Sequence, residues 1–385
     1  MENTLIKDRI LFKVYSFCLL FLFMNSMFPW YVWNNSISQI TIISTLAVSI
    51  VLRLCYVRIF SLSKVDFVFI VILALAMSWH VFCRSGIVGN TMCFLIWIIL
   101  LMLDKEHSEA ILSFITKWMS LLLLMSLITY VLYFVGIHIN PEIIVWNGGQ
   151  YIRANYYTFI MSVSSLDFYR FASIFMEPGH MTMGVVPLII ANRFDLKNKY
   201  VLILFVAELF SFSLAAYITL FIGYFLLNFS VDKLKWIFIG VLFIIVAIFC
   251  VNQFEGGNEM LERFLWSRLE FSDGNISGNN RTTDSFQSVY NTIMEKNEKW
   301  TGAPYIDTEA YGGNSGYKKF IVQEGIVGIV LFSLFYGYYA LVCRKREIWV
   351  LTLILFMLLY QNAYPFWNAV FLSYILGCKS ICHTN

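Results

Sequence analysis

The chain has 385 residues, of which 59% are hydrophobic and only 13% are charged, and its mean hydropathy is +0.71. A soluble domain carries about 25% charged residues, so this composition excludes an ordinary soluble protein and predicts a polytopic membrane protein. The net charge is only +3, with the basic residues clustered in short loops, which gives no support to nucleic-acid binding.

The apolar runs predict an all-α fold of about twelve transmembrane helices, forming a single integral membrane domain over residues 1–385. The predicted spans, in chain order, are 11–30, 37–54, 66–83, 87–103, 117–137, 173–192, 199–211, 213–229, 235–252, 320–342, 347–360 and 364–379. The first apolar run has no small-residue cleavage site, so we interpret it as a retained span rather than a signal peptide.

The orientation of the chain follows from the short loops rich in Lys and Arg, which stay in the cytoplasm. Basic residues at 7–13 and 344–346 predict that both termini are cytoplasmic, in a multi-pass protein of the inner (cytoplasmic) membrane. The apolar stretch 200–229 could be one long tilted helix or two short spans with a turn at 211–213. A single span would move every later basic loop outside, so we favour two.

Two long hydrophilic loops are then predicted to face outward, at 138–172 and 253–319. In the second loop, apolar and charged residues alternate at helical spacing over 258–269, which predicts an amphipathic helix. The pair Thr282-Thr283 can cap a further helix that runs to about residue 296.

The eight cysteines show no Cys-x-x-Cys or Cys/His metal spacing, so the sequence predicts neither a disulfide framework nor a metal site. No Gly-rich nucleotide loop or other cofactor motif is present either. We therefore expect no cofactor. A donor substrate would have to bring its own phosphate leaving group.

Ionisable residues lie inside the apolar run 171–191, which is about as long as one bilayer crossing. Glu177 and His180 are costly at that depth, and such residues usually mark a functional site. Pro178-Gly179 interrupts the span, and proline suits the first turn of a helix that begins there. The alternatives are a kinked helix with a snorkelling Glu177, and a His180 satisfied by a backbone carbonyl.

Three arginines in the outward loops, Arg153, Arg170 and Arg281, are candidates for phosphate binding, because the guanidinium fork matches two phosphate oxygens. Arg281 also precedes a predicted helix start, where free backbone N–H groups favour anions. Solvated loop charges remain the alternative for Arg153 and Arg281. Two further carboxylates, Glu208 and Glu324, either belong to a site or hydrogen-bond between helices.

Two motifs resemble those of the Wzy-type O-antigen or capsule polymerases and, more loosely, the wider superfamily that includes O-antigen ligases. The first is Arg170-x-x-Ser-Ile-Phe-x-Glu177-Pro-Gly ahead of a span. The second is Arg281…Trp300-Thr-Gly302…Asn314-Ser-Gly-Tyr317…Glu324-Gly-Ile-Val-Gly328 in the second outward loop. The motifs fall within 165–330, and elsewhere the resemblance rests on hydropathy alone.

The resemblance implies a metal-independent glycosyltransferase that joins undecaprenyl-diphosphate-linked oligosaccharide repeat units at the outer face of the cytoplasmic membrane. Arg170 and Arg281 match arginines that would hold the diphosphate, and Arg153 matches less closely. Glu177 would deprotonate or orient the acceptor hydroxyl. The remaining expected substrate-binding residues are His180, Asn314, Tyr317 and Glu324.

The expected partners are the lipid-linked oligosaccharides, membrane lipids and a chain-length regulator protein. The chain departs from the related patterns in two places. Its second loop has no histidine, which disfavours a ligase, and Ser213-Leu214 stands where many relatives have Ser-Arg. A ligase acting on a lipid-A core and a flippase of lipid-linked sugars remain the alternatives.

Overall fold

The computed structural model describes residues 2–32, 36–56, 62–83, 87–146, 151–163, 170–228, 271–272, 275–276, 282–311, 316–359 and 369–382. Four of the sequence-based predictions lie outside these residues: the span 235–252, the amphipathic helix 258–269, Arg281 and Asn314.

Most of the described chain is helical. The helices are α1 (Glu2–Asn25), α2 (Ser36–Val51), α3 (Lys64–Cys83), α4 (Ile87–Leu101), α5 (Lys105–Phe134), α6 (Pro178–Ala191), α7 (Lys199–Phe210), α8 (Leu214–Asn228), α9 (Asp284–Glu295), α10 (Glu298–Thr301), α11 (Gly316–Cys343), α12 (Arg346–Leu359) and α13 (Ala369–Cys382). Short 3₁₀ turns occupy Trp30–Val32 and Thr308–Tyr311, and a π-helical turn, Leu52–Tyr56, continues α2.

By length and composition, α3, α5 and α11 can each cross a membrane, and several shorter helices, including α6 and α8, are also apolar. The prediction of a mostly helical chain is therefore confirmed, and its apolar helices are compatible with a membrane protein. The number of spans and their orientation stay predictions. The start of α5 differs from the predicted residue 117, because Asp104 caps the helix and accepts a hydrogen bond from the His107 amide at 2.8 Å.

The turn that separates α7 from α8 was predicted at 211–213, and the structure confirms it. The Ser211 hydroxyl donates to the Glu208 carbonyl at 2.6 Å, which closes the end of α7. The Ser213 hydroxyl accepts from the Ala216 amide at 3.4 Å and so caps α8. The 12 residues of α7 rise only about 18 Å, less than the roughly 30 Å hydrocarbon core, so this helix fits a thin or protein-covered region.

The all-α prediction is wrong for residues 138–172, the loop predicted to face outward, because this loop contains an antiparallel sheet. Its strands are β1 (Glu142–Trp146), β2 (Tyr151–Asn155) and β3 (Ile160–Ser162), in the order β1-β2-β3. A two-residue pair, β4 (Phe271–Ser272) with β5 (Asn275–Ile276), lies in the second loop. Short β-branched and aromatic runs cannot be separated from helix by periodicity, which explains the error.

Helix α6 occupies the centre of the helical core. Nearly all of its residues from Met181 to Ala191 are buried, against α7, α8, α12 and α13. A Cβ added at Gly184 would lie 2.0 Å from the Met27 sulfur, so glycine allows the end of α1 to approach α6. The motif segment thus leads directly into a helix that is buried along most of its length.

A disulfide joins Cys343, at the end of α11, to Cys382, at the end of α13. The sequence predicted no disulfide framework, and this pair corrects it. The two cysteines are 39 residues apart and meet only because the helix ends converge, which no local spacing reveals. Disulfides persist in oxidising compartments, whereas the basic-loop pattern places both cysteines in the cytoplasm.

The orientation can be tested at Ser285, an exposed residue near the start of α9. In a variant without native cysteines, Ser285→Cys should react with a membrane-impermeant thiol reagent in intact spheroplasts, because the second loop is predicted to face outward. Lys197→Cys, in a predicted cytoplasmic loop, should react only after permeabilisation. The reverse pattern would overturn the orientation and place the disulfide outside.

Candidate functional site

The motif segment, residues 170–177, connects the first loop to α6 and is mostly buried. One of its edges pairs with the chain that follows α1. The Trp30 amide donates to the Ile174 carbonyl at 2.9 Å, and the Met176 amide donates to the Phe28 carbonyl at 3.2 Å. These bonds satisfy backbone groups that would be costly at membrane depth.

The other contacts of the segment reach the sheet, α5 and the α7–α8 turn. The Ile160 amide of β3 donates to the Ser173 carbonyl at 2.8 Å, and the Ser173 hydroxyl lies 2.8 Å from that of Ser126 on α5. The Phe171 amide donates to the Phe210 carbonyl at 3.2 Å. Neighbours on three sides therefore fix the path of the chain up to Glu177.

Glu177 occupies the position just before α6, with extended backbone angles of φ −142° and ψ 152°. As the sequence predicted, the helix begins at Pro178. The Glu177 carbonyl accepts the His180 and Met181 amides at 3.0 and 3.3 Å. Within the described part of the chain its half-buried carboxylate makes no capping hydrogen bond, so the first turn of α6 does not use it.

The first-loop sheet places Arg153 beside this helix start. Arg153 is the central residue of β2, and its Nε donates to the Met176 carbonyl at 3.4 Å, one residue before Glu177. Its terminal nitrogen donates at 3.2 Å to both the Ile152 carbonyl and the Ser162 hydroxyl of β3. The sheet thus brings one predicted arginine into contact with the residue that precedes Glu177.

Arg170 lies at the opposite end of the segment, against the α7–α8 turn. The Tyr217 hydroxyl is within electrostatic range of both Arg170 and the buried Glu208 carboxylate. That hydroxyl donates to the Leu209 carbonyl at 2.6 Å. Arg170 is only partly buried, so its guanidinium is not fully enclosed by the protein.

Glu208 makes the interhelical hydrogen bond that was one of its two sequence-based interpretations. Its carboxylate accepts from the Thr182 hydroxyl of α6 at 3.0 Å, and the same hydroxyl lies 2.9 Å from the Pro178 carbonyl. Burial of Glu208 is complete. This contact ties α7 to the first turn of α6.

Aromatic rings lie beside the segment, next to the Trp30 backbone that is hydrogen-bonded to it. The Trp30 indole N–H donates to the Tyr157 carbonyl at 3.2 Å, and the two rings meet edge to face, 6.0 Å apart. Tyr157 is half exposed, with a strained φ of 65°. Burial raises the pKa of the neighbouring Tyr31 hydroxyl to about 12, so it stays neutral at physiological pH. Such rings can stack on sugar faces.

His180 lies one turn into α6, half-buried, with its ring 5.3 Å from that of Phe28. It therefore shares the N-terminal end of α6 with Glu177. Among the described residues, no group of three His, Cys, Asp or Glu side chains could hold a metal ion.

Glu324 lies elsewhere, inside α11, and is only 1% exposed. Its carboxylate is 2.6 Å from His80 Nδ1 of α3, and the Trp79 indole N–H donates to its carbonyl at 2.9 Å. This is the interhelical bond that the sequence left as an alternative to substrate binding. The substrate-binding role of Glu324 stays a prediction.

Protein-family models, curated proteins and solved structures were compared with the chain. None of them matches it. What the chain does is therefore inferred from its residues, their geometry and the motif resemblance.

Two buried lysines, Lys318 and Lys319, begin α11 and were not singled out from the sequence. The Lys318 ammonium donates to the Gln287 side chain of α9 and lies 5.7 Å from the ring centroids of both Tyr290 and Tyr317. The position of the two lysines in the sequence could have identified them as unusual. Basic residues at the predicted outer end of a span depart from the basic-inside pattern.

Proposed function

We propose that the chain is a metal-independent glycosyltransferase that polymerises undecaprenyl-diphosphate-linked oligosaccharide repeat units into O-antigen or capsular polysaccharide. The reaction would take place at the outer face of the cytoplasmic membrane. One observation carries the proposal beyond the motif resemblance. The first-loop sheet holds Arg153, an arginine proposed to bind phosphate, against the carbonyl of Met176, the residue before Glu177 at the start of a buried helix.

In the proposed reaction, the bond between the sugar's anomeric carbon and the diphosphate oxygen of the donor breaks. A new bond forms from that carbon to a hydroxyl oxygen of the acceptor unit. Undecaprenyl diphosphate leaves, and the hydroxyl proton passes to the Glu177 carboxylate. General-base assistance of this kind is typically worth about 10²–10⁴ in rate.

The arginines would stabilise the diphosphate as negative charge develops on it. A guanidinium offers two parallel donors to phosphate oxygens and keeps its charge at any physiological pH. Three hydrogen bonds engage the Nε and one terminal nitrogen of Arg153, so its positive charge would act on the diphosphate from a fixed position and not through a two-donor fork. Arg170 and Arg281 are proposed for the same role on the strength of the resemblance.

A flippase of lipid-linked sugars is the second candidate, because one observation favours it. Helix α11 is broken at Gly325, whose φ of 68° and ψ of −172° are not helical. Broken helices surround the substrate sites of many transporters, where they occur at corresponding positions of two repeats. A ligase is disfavoured because the second loop has no histidine.

Deletion of the gene, followed by electrophoresis of the surface polysaccharide, separates these candidates. Loss of the polymer ladder with single repeat units still attached supports the polymerase. Loss of all attached repeat units contradicts it and indicates a flippase or a ligase. Return of the ladder on expressing this chain excludes an effect on neighbouring genes.

A further inference from the structure

The second outward loop contacts α11 closely at Gly325, where this helix is interrupted. A Cβ added at Gly325 would lie 2.4 Å from the Trp300 carbonyl oxygen, and one added at Gly302 would lie 2.4 Å from the Gln323 carbonyl oxygen. Both glycines have positive φ, 68° and 78°. The two backbones thus meet at a distance that no residue with a side chain allows.

A hydrogen bond and a small apolar cluster reinforce this contact. The Ala303 amide donates to the Val322 carbonyl at 2.7 Å, just before the break. Phe286 and Ile293 of α9 are buried against the same two residues. Helix α9 is therefore held to the membrane-suited α11 by its own packed core.

A buried pair of polar side chains, His80 and Glu324, lies at this junction. Glu324 precedes Gly325 directly, and its carboxylate meets His80 of α3 at 2.6 Å, with both residues at most 5% exposed. Burying two such groups is expensive unless their geometry is well satisfied. The pair joins α11 to α3 next to Gly325, where the loop contacts α11.

We propose that His80 and Glu324, together with the Gly302–Gly325 contact, form a loop lock that positions α9 for the transfer reaction. This inference rests on the proposed function, because Arg281 precedes Thr283, the capping residue of α9, by two positions in sequence. His80 and Glu324 are then positioning residues that act by holding the second loop, and for Glu324 this role is proposed in place of the substrate binding that the resemblance implied.

Thiol labelling tests the lock without reference to activity. Thr308 is 2% exposed in the loop, and Thr308→Cys, in a variant without native cysteines, should be protected from reagent. Adding Glu324→Ala should speed its labelling on the order of tenfold or more, because the loop then opens locally. Ser285→Cys, which is exposed, should label equally in both backgrounds.

The matched control is a substitution in another buried pair, Asp66 and Lys379, both of which are distant from the second loop in sequence. Asp66 accepts from the Lys379 ammonium at 3.1 Å and the Tyr339 hydroxyl at 2.6 Å. Asp66→Asn should leave the labelling of Thr308→Cys unchanged. Equal labelling with and without Glu324→Ala, or equal acceleration by Asp66→Asn, would overturn the lock.

The positioning role has a separate kinetic test. With purified lipid-linked repeat unit, Glu324→Ala should lower kcat for polymerisation more than it raises KM, since the displaced Arg281 would act on the negative charge that develops during the reaction. The double variant His80→Glu/Glu324→His should restore part of the lost activity. Labelling that changes while the kinetics do not would remove the positioning role. A wild-type protein without polymerase activity would refute the proposed function but leave the labelling result valid.

Discussion

Arg170→Ala is expected to lower the polymerisation rate roughly 10²–10³-fold, the effect of removing one preorganised donor to a developing negative charge. The side chain is only partly buried at the end of the motif segment, so the protein should still reach the membrane in normal amounts. Polysaccharide electrophoresis gives the activity, and immunoblotting of membranes gives the protein level. Arg281→Ala should behave in the same way.

Arg170→Lys separates charge from geometry, because lysine keeps the charge but loses the planar fork, and it should rescue poorly. Arg193→Ala, which removes an exposed arginine after the other end of α6, is the matched control and should make a normal ladder. Full activity in both Arg170→Ala and Arg281→Ala would end the diphosphate-clamp proposal.

Glu177→Gln is expected to abolish polymer while lipid-linked repeat units still bind. Glutamine keeps the size and hydrogen bonding of the side chain but cannot accept a proton, and general-base assistance is worth about 10²–10⁴ in rate. The structure sharpens this prediction, since in the described residues the Glu177 carboxylate does not cap α6. Loss of the charge should therefore leave the helix start undisturbed.

Glu142→Gln on β1 is the control for Glu177→Gln, because it neutralises an exposed glutamate of the same loop region and should have no effect. Glu177→Asp should retain activity only if the shorter side chain still reaches the hydroxyl. A normal ladder from Glu177→Gln would show that no proton transfer passes through this carboxylate.

The sequence was sufficient to predict the helical fold, because long apolar runs separated by basic loops constrain a membrane chain strongly. It also predicted the α7–α8 turn and the Thr283 cap of α9, where serine or threonine at a helix boundary is a local signal. The first-loop sheet was missed, since β1 and β2 are short and their pairing depends on the tertiary path of the chain.

The sequence predicted those parts of the candidate site whose residues are neighbours in the chain, and it did not predict contacts between distant residues. Ionisable residues beside a proline in an apolar run identified Glu177 and the start of α6. The contact of Arg153 with Met176 and the pair between His80 and Glu324 join residues that are distant in sequence, and the second spans 244 positions. Nothing in a single sequence indicates which helices will meet.

The most direct test of the polymerase proposal is a reaction with the purified protein in liposomes, supplied with a labelled undecaprenyl-diphosphate-linked repeat unit and a metal chelator. The proposal predicts products of two or more repeat units together with free undecaprenyl diphosphate, and no such products from Glu177→Gln. Unchanged substrate, or movement of the labelled lipid across the bilayer without lengthening, would contradict it.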